Sequence, residues 1–158
     1  MKRCLLVSIV LATLLGCATD PRLSSDAFKP EIEGAQAARQ ALVGAWYGEA
    51  TIRDGLQRRW VNRRSADGTY VLEVRLSGAA SESPDREYGV WGVSGGIYFT
   101  IMQGWIDAGG TITPSDPADA NFYDAYRVLE LTGDVFRYRG LETGNTFTVT
   151  RVADDFSL

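Results

Sequence analysis

The chain has 158 residues, 20 acidic against 16 basic side chains, a net charge of −4, no histidine and two cysteines. The acidic balance argues against nucleic acid as a partner. Without histidine there is neither a Ser-His-Asp triad nor a histidine-held metal.

The chain opens on Met1-Lys2-Arg3, and Leu5 to Leu15 is almost wholly apolar. A short positive start and an apolar run make up the pattern of a secretory signal. The run falls short of the roughly 20 residues that a membrane span requires. It closes on Leu14-Leu15-Gly16-Cys17, followed by Ala18. An ordinary signal cut beside Ala18 is the plainer reading, but the cysteine in that position resembles the lipobox of bacterial lipoproteins. The resemblance implies a signal over residues 1–17 that ends at a lipidated Cys17. It also implies attachment to a membrane through acyl chains on Cys17, two or more of which bind a bilayer stably. Ala18, where an aspartate would retain such a protein at the inner membrane, implies the outer membrane; its two faces both stay open, with the periplasmic face expected ahead of the cell surface. With Cys4 discarded and Cys17 acylated, no thiol remains for a disulfide or for catalysis. Loss of Lys2 and Arg3 leaves 14 basic against 20 acidic residues. About 140 residues remain, enough for one domain with one core.

Residues 18–30, with Pro21, Ser24, Ser25 and scattered charges, read as a flexible tether, and 31–158 as the folded domain. Pro30 suits the first turn of a short helix through about Leu42, with Ile32, Ala35, Ala38 and Leu42 on one side. That stripe is mostly alanine, so the helix is expected to plug one end of a sheet.

From Val43 the period changes to two. Tyr70, Leu72, Val74 and Leu76 alternate with Val71, Glu73 and Arg75, as in a half-buried strand. Asp54-Gly55, Asp67-Gly68, Gly95-Gly96, Gly133-Asp134 and Gly144-Asn145 mark tight turns. Strands are predicted near 43–52, 57–64, 69–77, 86–93, 97–103, 122–131, 134–140 and 145–152. A long antiparallel sheet curls, and closing it removes its edges. The expected fold is all-β, an antiparallel up-and-down barrel of about eight strands with a short N-terminal helix.

Gly44-Ala45-Trp46 opens the first strand after the helix, and Arg151 lies on the last strand in Phe147-Thr148-Val149-Thr150-Arg151. This arrangement resembles the lipocalins, in which a G-x-W tryptophan packs under an arginine from the last strand. The chain is shorter than most lipocalins and lacks their late helix and disulfides. The resemblance implies that Trp46 and Arg151 form a barrel-closing pair, and that the interior takes a small apolar or amphipathic ligand. A lumenal Arg151 facing a ligand carboxylate is the alternative role for that residue.

Gln57-Arg58-Arg59-Trp60-Val61-Asn62-Arg63-Arg64 places four arginines in one strand. Arg58, Trp60, Asn62 and Arg64 share one face, while Arg59, Val61 and Arg63 share the other. A solvated face is the plainer reading. A lumenal face would bury an arginine that needs an acidic partner or an anion, and Glu49 and Glu73 are the nearest candidates. Trp60, Tyr88, Trp91, Tyr98, Tyr126 and Tyr138 are the ring-bearing candidates for a ligand site, since a small barrel is otherwise filled by its own side chains. Residues 104–121 form the longest connection, with an extra short strand at Thr111–Thr113. Trp105 and Ile106 within it are expected to fold over a mouth as a lid. Asp116 and Asp119 sit in a polar stretch without a catalytic or calcium-loop signature, so neither catalysis, nor a metal, nor a cofactor is expected. The rival to ligand carriage is a filled barrel whose loops bind an envelope protein.

Overall fold

The computed structural model describes residues 25–52, 55–78 and 85–158, with the helix side chains from residue 34 onward. The signal, Cys17 and the tether up to Ser24 lie outside the described residues. Among the described residues, one α-helix, α1 (Ser25–Leu42), precedes nine strands. These are β1 (Gly44–Thr51), β2 (Gln57–Arg64), β3 (Thr69–Leu76), β4 (Asp85–Ser94), β5 (Ile97–Ile106), β6 (Ile112–Pro114), β7 (Tyr123–Leu131), β8 (Val135–Gly140) and β9 (Thr146–Val152).

Every pairing is antiparallel. The order β4-β3-β2-β1-β9-β8-β7-β5, with β4 also paired to β5, closes eight strands into a lipocalin-like barrel. β1 completes the ring by pairing β2 on one side and β9 on the other. The helix starts earlier than Pro30. Ser25 and Asp26, residue types favoured at helix starts, stand at its beginning, and proline's fixed φ is itself helical. The last residues of the stretch expected to be tether, 25–30, are therefore helical.

The second difference concerns the lid. Trp105 and Ile106 belong to β5, which pairs with β7 over Ile97–Ile101 and then with β6 over Gly104–Ile106. The short strand supplies a second partner where β7 ends, so the wall continues in place of folding over the mouth. Trp105 points outward and stacks edge-on against Phe122 at 5.6 Å.

Helix and hairpin turns divide the barrel into a closed and an open end. At the closed end lie α1 and the turns after β2, β4 and β7, with Leu42, Trp46 and Phe136 fully buried there. Arg39 of α1 stacks on Trp91 at 4.9 Å, and the Trp91 indole N–H donates to the carbonyls of Ser65 and Thr69. Strands β1, β3, β5 and β8 run out to the open end. Outside the wall, residues 153–156 lie across β1 and β2. Arg63 donates to the carbonyls of Asp154 and Phe156, and Phe156 packs on Tyr47 at 5.5 Å. This cover explains why Val61 is fully buried although it faces outward.

Candidate functional site

The Gly44-Ala45-Trp46 turn and Arg151 meet at the closed end. α1 ends at Leu42, leaving carbonyls without helical partners, and three side-chain groups satisfy them. Arg151 donates from Nη1 to Val43 O at 2.8 Å and from Nη2 to Ala41 O at 2.6 Å, while Trp46 Nε1 donates to Leu42 O at 3.0 Å. Arg151 Nε reaches Gly133 O at 2.6 Å, and the guanidinium lies 4.4 Å from the Trp46 ring. Gly44 has φ +107°, and a Cβ there would stand 2.8 Å from Arg151 Nη1. The glycine is thus required both by the turn and by the arginine crossing it. All three nitrogens of Arg151 are engaged by backbone carbonyls, and it does not line the interior hollow.

That hollow lies in the open half and measures about 210 Å³. Trp60, Tyr98, Tyr126, Tyr138 and Phe147 form its aromatic wall. Arg58, Asn62, Tyr70, Glu87, Thr100 and Asp124 supply most of its polar groups. A second hollow of about 250 Å³ shares Asp124, Tyr126 and Phe147 and continues under the 141–145 turn at the rim. Of the ring-bearing candidates, Trp60, Tyr98, Tyr126 and Tyr138 line the interior. Trp91 is spent on closing the helix end, and Tyr88 lies outside, one residue out of phase with Glu87.

β2 turns its Arg58-Trp60-Asn62-Arg64 face inward. Trp60 sits opposite Gly48 on β1, and a Cβ on Gly48 would run into the Trp60 ring and within 2.8 Å of Val149. The missing side chain on β1 is what admits the indole. Arg64 is 3% exposed and Asn62 8%. Arg64 Nε donates to the Tyr98 hydroxyl at 3.0 Å, and its guanidinium stands 4.9 Å from the Tyr98 ring and 5.5 Å from Phe136. Neither Arg64 Nη1 nor Asn62 Oδ1 has a hydrogen-bond partner among the described residues. The two expected acidic partners are engaged outside the barrel. Glu73 pairs with Arg63 at 3.0 Å and Arg86 at 3.4 Å, and Glu49 accepts from Tyr47 at 2.7 Å.

No family model and no curated protein matches the chain. The chemistry of the hollow therefore rests on its own side chains. Burial pushes the hydroxyls of Tyr70, Tyr98, Tyr126 and Tyr138 upward, so all four stay protonated. Burial also raises the Glu87 carboxyl, opposed by the Tyr70 hydroxyl, which donates to it at 3.3 Å, and by Arg58.

A carboxyl raised in the folded state stabilises the fold fully below its unfolded pKa, about 4.3, and loses that contribution as pH rises through the folded value. Glu87→Gln is accordingly expected to raise the thermal midpoint at about pH 7 and to leave it unchanged at about pH 4. Equal midpoints for variant and parent at both pH values would contradict the burial penalty.

Glu87, Asp124 and Thr100 carry no ring and escape a search for ring clusters, while Phe147 is a ring that the sequence reading placed only beside Arg151 on the last strand. The available signal was phase, since Glu87 shares its strand face with Trp91.

Proposed function

We propose that this protein is a membrane-anchored carrier or receptor whose barrel binds a small amphipathic molecule. A closed barrel of this kind is compatible with a lipocalin-like binding scaffold, and the anchor would be the acyl chains on Cys17. The observation that carries the reading is the interior hollow, in which polar groups converge against a ring-lined wall. At about 210 Å³ the hollow is smaller than the roughly 300–1,000 Å³ usual for a small-molecule pocket. That favours a compact ligand with a polar head over a long acyl chain enclosed whole. Binding would be passive, with apolar burial at roughly 25 cal/mol per Å² and the polar groups choosing the head. No step of catalysis is required.

Native mass spectrometry of the protein purified from the cell envelope, followed by solvent extraction, is expected to release a bound small molecule. A bare polypeptide mass, together with no thermal shift from any amphipathic acid, would overturn ligand carriage. Cys17→Ser is expected to move the protein from the membrane to the soluble fraction. An unchanged distribution would remove the anchor.

A second reading has its own support. The open end carries exposed apolar side chains on four segments: Ile52 and Leu56, Trp105, Ile112 at 54%, and Leu141 at 52%. Apolar groups gathered on one rim suit the binding of an envelope protein by the loops. Crosslinking from Leu141 to one stoichiometric protein, with an empty hollow, would favour it.

A further inference from the structure

We propose that the inner end of the hollow is a head-group subsite for a small carboxylate that bears a hydrogen-bond donor on the adjacent carbon, as in α-hydroxy and α-amino acids. The inference rests on the ligand-binding reading above and names the class of ligand.

Arg64 and Asn62 are successive inward residues of β2, so their Cα atoms lie roughly 7 Å apart on one face. Arg64 ends in a guanidinium, which offers five donors and no acceptor. Among the described residues it has no carboxylate within ion-pair distance. Its Nη1 is an unused donor, and Asn62 Oδ1 is an unused acceptor. Both side chains are more than nine-tenths buried. Burying a lone guanidinium and a lone amide oxygen is costly, and a ligand that brings an acceptor and a donor together relieves both costs at once.

Asn62 lines the hollow, and Arg64 is held beside it through Tyr98, which lines it too. The Tyr98 hydroxyl already accepts from Arg64 Nε, which leaves its own proton free to donate. Arg64 stands one layer behind the lining, so a carboxylate reaches its Nη1 by parting the wall at Tyr98 and Asn62; there Arg64 Nη1 and Tyr98 O–H offer two donors, and Asn62 Oδ1 offers one acceptor to the neighbouring hydroxyl or ammonium. A plain fatty acid satisfies the first pair and leaves Asn62 unpartnered. A neutral amide lacks the charge that Arg64 calls for. Above this end Trp60, Tyr138 and Phe147 provide a ring-lined slot for an apolar or aromatic body.

Calorimetric titration of the purified protein with four probes tests the assignment: 3-phenyllactate, phenylalanine, 3-phenylpropionate and 3-phenylpropanamide. At least one of the first two is expected to bind tenfold or more tightly than 3-phenylpropionate, and 3-phenylpropanamide weakest of all. Arg64→Met is expected to weaken the acids at least tenfold. Asn62→Leu is expected to abolish the preference for the donor-bearing acid while leaving 3-phenylpropionate bound as before. Equal affinities for 3-phenyllactate, phenylalanine and 3-phenylpropionate would overturn the subsite. So would an Arg64→Met protein that unfolds cooperatively and still binds the acids unchanged. If those results came with tight binding of decanoate, ligand carriage would stand and only the subsite would fall. Failure of all four probes and of decanoate would remove both.

Discussion

Arg151→Ala is expected to cost the fold about 3–4 kcal/mol and to lower the thermal midpoint by about 10 °C. The guanidinium holds the carbonyls of Ala41, Val43 and Gly133 and lies against Trp46. A hydrogen bond from a charged donor contributes about 1.5–3 kcal/mol, and a stacked cation adds about 0.5–2. These contributions share one side chain and do not add in full, which sets the lower figure. Alanine would also leave the end of α1 with unmet carbonyls. Arg151→Lys is expected to recover less than half of the loss, because a single ammonium cannot reach three carbonyls in three directions. Urea unfolding followed by tryptophan fluorescence measures both variants. A loss under about 1 kcal/mol for the alanine variant would show that helix and barrel hold together without this arginine.

Gly89→Ala is expected to cost about 3 kcal/mol and to reshape the hollow. A Cβ at this position would collide with the carbonyl oxygen of Ile101 and stand 2.7 Å from the Tyr70 ring. The first obstacle is backbone in the neighbouring strand and cannot swing aside as a side chain does. The register already shifts between Tyr88 and Gly89, where Gln103 is an extra residue on β5, so the added atom arrives beside a bulge. The only soft response is for Tyr70 to move, and that breaks its contact with Glu87 and reshapes the cavity wall. A cooperative unfolding midpoint within about 0.5 kcal/mol of the parent would contradict this packing.

Most of the wall was legible because alternation and turn glycines agree. Tyr70 to Leu76 alternates cleanly, and Asp67-Gly68 before it forms the turn, with Gly68 at φ +94°. The end of β5 was not legible. Gln103 and Gly104 interrupt its apolar rhythm, and the outward Trp105 looks like a loop residue until β6 is known to lie beside it. The inward face of β2 was undecidable by pattern, since both faces of Gln57–Arg64 carry arginine. What decides it is non-local: Gly48 on β1 leaves space for Trp60. The pairing of Glu73 is likewise a property of register. Its strand neighbours bring it to Arg63 and Arg86 on the outside, and only then is Arg64 left without an acid. Arg151 was readable as one of two things, and the helix-end carbonyls choose between them.

The seam between β1 and β9 sets a timetable. About 100 residues separate the two strands, so the second becomes available only after nearly the whole wall has emerged. Throughout that interval β1 can pair with β2 alone, and its other row of amides and carbonyls stays open to any extended chain nearby. A copy clipped before Thr146 is therefore no smaller version of the barrel. It is an unclosed ribbon with two adhesive margins.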